Sequence, residues 1–423
     1  MLLVVAISSC SGDEVIENLP IMPPVEVEEP EIIEIIRDLG GREIVIASSH
    51  AYLDSLDYEK IDRVSQQFNV IISEISIEHF NIIPTLQVNV AAGRHFADLV
   101  LLPGDMVFQA ITGNLIYALE EFVRSSGEMW DSEFVGFHWT FAPYAINLEG
   151  AFLGVNMDII RAANAENPLR LYEEGDWTFN KFEEILNLVT EYAYFGISGV
   201  PGEIIVHLIA ANDGVLVYNY EYAYNDPRTV TALNLAYNIF QRDQTWQYNH
   251  GFHDWYGNFY AFMEGRSAFF PLSEWVLQQI ELDFAYTIVP FPRGPDNESA
   301  YSFMRGFNMG LAIPRGTQNP EEVYTVLAAI FAEESKDKIR EGERAKLTGL
   351  FSSDAELQRM LNILEGQGKF DLGSSVPAFY WMHNFLAEGF YSGQFNVGRA
   401  VELFRQPQQN ILDKALEGWV LSP

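Results

Sequence analysis

Cysteine is nearly absent from this chain: Cys10 is the only one in 423 residues. That excludes an internal disulfide and any metal cluster built on several thiolates. Basic residues are scarce as well, 25 against 59 acidic ones, which leaves a formal net charge of −34. A surface of that sign repels phosphate backbones and anionic headgroups, so nucleic acid is not expected as a partner. No stretch beyond the N-terminus offers the ~20 apolar residues that a spanning helix needs. There is no internal repeat, no P-loop and no nucleophile elbow. The cluster His250, His253 and Asp254 is broken by Gly251. It lacks the i, i+4 spacing of helical metal ligands, so it reads as a polar loop; neither metal nor cofactor is expected.

What is present is apolar and aromatic. Hydrophobic residues make up 48% and aromatic ones 14%, a globular composition in a chain too long for one ordinary core. Met1 to Ser9 is an apolar run ending in small residues directly before Cys10. This is the layout of a bacterial lipoprotein signal (residues 1–10), and Ile7-Ser8-Ser9-Cys10 resembles a lipobox. Cys10 is therefore the expected site of lipidation, with the basic leader expected upstream of Met1. Residues 11–40 are acidic and punctuated by Pro20, Pro23, Pro24 and Pro30, a composition that stays extended and reads as a tether.

From Glu43 onward, short β-branched runs alternate with helical patterns. Glu43–Ala47, Val70–Ile72 and Asp98–Leu102 read as strands, and Ile61, Val64 and Phe68 mark a helix face between the first two. Asp176–Asn180 and Asp226-Pro227 open further helices. Ala285–Pro290 and Gly310–Pro314 are strands closed by proline-glycine turns. Such alternation implies an α/β fold with a parallel sheet covered on both faces.

Six segments in one order then carry a resemblance. Ala91–Val100, Gly154–Ile160, Asp176–Phe182, Phe262–Phe269, Val289–Pro295 and Gly310–Pro314 with Asn319-Pro320 are similar to motifs of the extracellular solute-binding proteins of the maltose-receptor type. Two positions depart from the pattern: Ala97 replaces a proline, and the lysine usual after Asn156 is missing. The resemblance implies a two-lobed periplasmic-binding-protein type II-like fold with hinge strands and a ligand cleft. Lobe one is expected at 41–147 plus 289–345, and lobe two at 148–288 plus 346–423. It further implies a monomeric, non-enzymatic, extracytoplasmic receptor, anchored to the membrane through Cys10. Such a receptor would close on a sugar or oligosaccharide and deliver it to the permease subunits of an ABC importer. A carbohydrate-active enzyme of glycosidase type and a receptor for a non-sugar solute such as a peptide are the alternatives.

Ligands of open α/β sheets sit beyond the carboxyl ends of strands, which points to Ser49 and His50 after the first strand and to Asp105 after the third. Asp105 reads equally as an acceptor of solute hydroxyls and as a helix N-cap. Aromatic faces stack on the C–H surfaces of sugars. Trp275, beside Glu274, follows the strand that starts at Ser267; Trp255 and Tyr256 end a polar loop; Tyr380 and Trp381 follow Val376-Pro377; Trp139 precedes the expected first hinge. Each is a candidate for the cleft, with the core as the other reading. Arg305, beside Gly306, is a candidate donor to ring oxygens. Trp177 and Trp419 lie on helix faces that should pack.

Overall fold

The computed structural model describes residues 36–49, 58–103, 152–192, 194–218, 221–242, 255–272, 282–297, 309–331, 353–369 and 377–417, with a few shorter stretches between them. Gly40 and Gly41, both at left-handed φ near 70°, turn the chain into β1 (Arg42–Ser48). There follow α1 (Tyr58–Phe68), β2 (Val70–Ser76), α2 (Ile82–Ala91) and β3 (Leu99–Pro103). β1 pairs in parallel with β2 on one side and β3 on the other. Successive strand residues face opposite sides of a sheet, and the packing divides accordingly. Ile44, Ile46, Leu99 and Leu101 join Val64 and Phe68 of α1, while Ala47, Val100 and Leu102 join Ile82, Ile83 and Leu86 of α2. Both faces are covered, as parallel strands require.

Asp98, the acidic residue of the Ala91–Val100 motif, is buried in front of β3 and fastens this sheet. One carboxylate oxygen accepts from Val45 N at 3.0 Å, and the other accepts from Arg42 Nη2 at 3.0 Å. Arg42 reaches on to Glu322 at 2.9 Å. Removing one member of such a pair strands its partner. Asp98→Ala should therefore lower the unfolding free energy by about 3 kcal/mol in urea titrations, and a loss within ~0.5 kcal/mol would refute this anchoring role.

The second sheet opens with β4 (Phe152–Asn156) and α3 (Met157–Ala162), then α4 (Pro168–Glu173), α5 (Phe179–Glu191), β5 (Phe195–Ile197) and α6 (Pro201–Ala211). The hairpin β6 (Val217–Tyr218) and β7 (Glu221–Tyr222) leads to α7 (Pro227–Gln241), α8 (Trp255–Met263), β8 (Ser267–Leu272) and β9 (Tyr286–Pro290). Side-chain caps start these helices: Asn156 for α3, Thr178 rather than Asp176 for α5, and Asp226 for α7. The strand order is β5-β8-β4-β9. β5 and β8 are parallel, but β4 is antiparallel to β8 and β9.

The rest of the chain visits both sheets. β10 (Phe303–Met304) is followed by β11 (Met309–Ala312), α9 (Pro320–Phe331), α10 (Asp354–Gln367), β12 (Gly368–Lys369), α11 (Pro377–Tyr391) and α12 (Val397–Glu417). β11 joins the first sheet antiparallel to β3, and β10 pairs with β12. The expectation of wholly parallel sheets thus holds for β1–β3 and for β5 with β8 only. β4 and β11 are the strands on which the chain arrives from the other sheet, so no crossover helix dictates their direction.

Residues 289–297 and 301–304 pack with the second sheet, where the sequence reading assigned them to lobe one. Val289 and Pro290 pair with Leu153 and Phe152, and Phe291 and Met304 lie in that sheet's core. Trp177 Nε1 donates to Pro290 O at 2.8 Å, and Gly294 N donates to Ala211 O at 3.0 Å. Asn212, fully buried, accepts from Asp296 N at 3.0 Å and donates to the Asp296 carboxylate at 2.8 Å. Gly294 lies against that amide, with no room for a Cβ. The Pro-Phe-Pro-Arg-Gly motif is accordingly a docking segment for the end of α6.

Candidate functional site

β1 and β3 run in the same direction, so their carboxyl ends share one edge of the first sheet. Ser48, wholly buried, ends β1 with its hydroxyl donated to Leu101 O at 3.3 Å, and the half-buried Ser49 follows. In the second sheet β5, β8 and β9 point one way, against β4. The edge where they end is the place that fold geometry reserves for a solute.

At that edge β5 turns into α6 through residues 198–202, Ser-Gly-Val-Pro-Gly. Ser198 is fixed first: its N–H donates to Phe269 O at 2.9 Å and its hydroxyl lies 2.7 Å from that of Ser267, both on β8. Gly199 adopts φ 142°, and a Cβ there would lie 2.6 Å from Pro271 Cδ. Its N–H donates to Asn258 Oδ1 on α8 at 3.4 Å. Val200 has no capping side chain to offer α6, and Asn384 on α11 fills the role, accepting from Gly202 N at 3.0 Å. A Cβ on Gly202 would lie 2.7 Å from that same Oδ1. Three elements, α8, β8 and α11, thus converge on one five-residue turn.

Beneath it lies an aromatic layer. Tyr222 stacks on Tyr224 with centroids 4.8 Å apart, and the Tyr224 hydroxyl is hydrogen-bonded to His383 Nε2. His207 stacks on Phe291 at 4.9 Å. Burial drives the imidazoles of His207 and His383 down to about 3, so both are neutral at physiological pH. The buried polar groups around the turn (Ser198, Asn258, Ser267, His383 and Asn384) therefore carry no charge. Such groups suit hydroxyls and amides and do little for an ion.

The predicted site residues fall as follows. Ser49 is at the first sheet's carboxyl edge. Trp255 and Tyr256 occupy the first turn of α8, and Tyr380 and Trp381 are the fourth and fifth residues of α11, with their side chains outside the described structure. Glu274 and Trp275 come two and three residues after the end of β8 at Leu272; they, with His50, Asp105, Trp139, Arg305 and Cys10, lie outside the described residues, as do His250, His253, Asp254 and Trp419. Asn258 and Asn384 escaped the sequence reading. The signal available was their spacing, each three residues after a candidate tryptophan. Among the described residues no group of three or more His, Cys, Asp or Glu could hold a metal ion, and no helix is long and apolar enough to cross a membrane.

No family model matches the sequence, and no curated protein matches it significantly. The structure, by contrast, has many counterparts. The sugar-binding protein MalE from Xanthomonas citri superposes with a TM-score of 0.66 at 14% identity, over 90% of this chain and 100% of that one. UgpB from Mycobacterium tuberculosis, in complex with glycerophosphocholine, gives 0.62 at 18% identity, over 89% and 100%. The GacH receptor of Streptomyces glaucescens, solved unliganded and with acarbose, gives 0.60 at 13% identity, over 88% and 99%. The chain has the α/β, two-lobed periplasmic-binding-protein fold of these receptors.

Proposed function

We propose that this fold serves here as the extracytoplasmic receptor of an ABC importer, binding a sugar or oligosaccharide without chemically altering it. The observation that carries the reading is the uncharged, buried polar turn at the carboxyl edge of β5 and β8, met by two helices whose N-terminal halves bear Trp255, Tyr256, Tyr380 and Trp381. Neutral hydrogen-bonding groups, on helices that also carry aromatic residues, match a sugar, whose hydroxyls need partners and whose C–H faces need an apolar platform. The likeness to MalE and to the acarbose-binding GacH supports the same class of solute. Glycerophosphocholine, found in UgpB, is ionic and fits the uncharged turn less well.

The receptor's body is attached through lipidated Cys10 and the acidic tether 11–40, and hands its solute to the permease subunits. Lobe one in this reading ends at residue 147 and resumes after β10, and lobe two holds the rest of the body. Solute gripped by both lobes favours the closed state by its differential affinity. A ligand that binds only the folded state raises its melting temperature, so thermal scans against a panel of neutral mono- and oligosaccharides form the test. A rise of several degrees with at least one sugar is expected, with glycerophosphocholine giving none. In Trp275→Ala the affinity for that sugar should fall by ~1–3 kcal/mol, the worth of one aromatic stacking platform. A panel without a shift, or release of free monosaccharide from an oligosaccharide, would reject the reading.

A further inference from the structure

The helix α2 is apolar on both of its faces. Inward, Ile82, Ile83 and Leu86 join the core of the first sheet. Outward, a 3₁₀ turn (His79–Asn81) runs directly into α2 and carries Phe80, which is 86% exposed. Pro84, Val88 and Ala91 follow it, all exposed. Spacings of four, four and three residues keep these positions on one stripe of a helix, and a helix apolar all round belongs in an interior. Residues 79–93 contain no Asp, Glu, Lys or Arg, in a chain where 20% of residues are charged. The nearest charges in sequence stand just beyond the two ends, Glu78 before the turn and Arg94 after α2. Both are exposed, and neither forms an ion pair with another described residue.

We propose that the outer face of α2 is a contact between two copies of this chain, paired antiparallel about a two-fold axis. Such a contact sets one patch against itself, so that residue i meets j and j meets i. The stripe is complementary to itself in that arrangement. It is large at its start and small at its end, so antiparallel pairing sets Phe80 of one copy against Ala91 and Ala92 of the other, and Pro84 against Val88. The same register brings Glu78 beside Arg94 at both ends of the contact, where a parallel register would oppose like charges. Over the rest of the surface two molecules of formal charge −34 repel each other, and an uncharged strip is where that repulsion is least. One helix from each copy makes a contact at or below the low end of the ~1,200–2,000 Å² typical of stable interfaces, so the pair is reversible and needs high protein concentration. Attachment of both copies to one membrane, as proposed above, supplies that concentration. The pairing departs from the single-copy receptor that the family resemblance implies, and it does not depend on what the receptor binds.

Sedimentation equilibrium tests this on the full chain, with Cys10→Ser as the parent to prevent lipidation and disulfide formation. Over a range from ~1 μM to ~1 mM protein, the average mass of the parent should rise from that of one chain toward that of two. Phe80→Asp and Val88→Asp should each weaken the pairing by at least about tenfold, with the folded structure intact by circular dichroism because both side chains are exposed. Leu403→Asp, which changes a similarly exposed residue on α12, should pair as the parent does. Glu78→Arg should weaken the pairing by about threefold or more, and the charge swap Glu78→Arg/Arg94→Glu should restore it. A parent that stays single at ~1 mM, a Phe80→Asp variant that pairs as well as the parent, or a Leu403→Asp variant that does not pair would overturn the proposal. A charge swap that pairs no better than Glu78→Arg would overturn the antiparallel register.

Discussion

Between pH 7 and pH 5 the unfolding free energy should fall by about 4 kcal/mol more in the wild type than in the double variant His207→Gln/His383→Gln. Both imidazoles are fully buried, and the Nδ1 of each has no hydrogen-bond partner among the described residues. In the unfolded chain each takes up a proton near the ordinary 6.5, whereas in the folded protein each resists until about 3. Below 6.5 the unfolded state therefore binds more protons, and stability falls as the pH falls through that window. At 1.36 kcal/mol per pH unit, each histidine contributes roughly 2 kcal/mol by pH 5. Glutamine does not titrate there, so the double variant keeps the pH response of everything else, including relief of the acidic surface. Tyr222, its hydroxyl pushed still further up by burial, stays protonated throughout. Parallel curves for the two proteins in urea titrations across this range would show that the histidines do not set the acid limit.

Trp177→Ala should cost about 3–5 kcal/mol, the range for emptying a large aromatic site in a packed core. The indole is completely buried, stacks on Phe269 at 6.0 Å and meets Phe182 edge-on at 5.6 Å. Its Nε1 also holds Pro290 O, and its own carbonyl accepts from Arg293 N at 3.0 Å. The indole's loss would open a cavity and free the start of the 290–297 docking segment together. Trp177→Phe refills most of the volume but leaves Pro290 O unpaired, so a smaller cost of about 1–2 kcal/mol is expected. Chemical denaturation of the three proteins gives both values, and equal midpoints would show that the residue bears no such load.

The elements that carried a clear period in the sequence are the ones that appeared where expected. Ile61, Val64 and Phe68 on α1 are buried together, and so are Phe182, Ile185, Leu186 and Val189 on α5. β4 was invisible as a strand because it is buried on both faces: Phe152 to Asn156 show no alternation. β5 has three residues, too few for any period. The docking of 290–297 on α6 depends on Asn212, more than 70 residues away, which no local pattern announces. The same holds for the candidate site. Sequence could nominate aromatic residues after strand ends. It could not nominate Asn258 and Asn384, whose partners are backbone groups of a turn distant in the chain.

β2 is one of the two outer strands of the first sheet among the described residues, with Ile71 near its start 60% exposed. An outer strand offers unpaired backbone groups that a second molecule could extend into a continuous ribbon. Glu74, exposed within it, and the formal charge of −34 set like charges against such contact. The deficit of basic residues is in this light a colloidal safeguard, one that weakens when carboxylates are neutralised by acid or screened by salt. Acid thus acts on this protein twice, through the buried imidazoles that loosen the second core and through the carboxylates that hold neighbouring molecules apart. Precipitation on acidification should begin among molecules that are still folded around the first sheet.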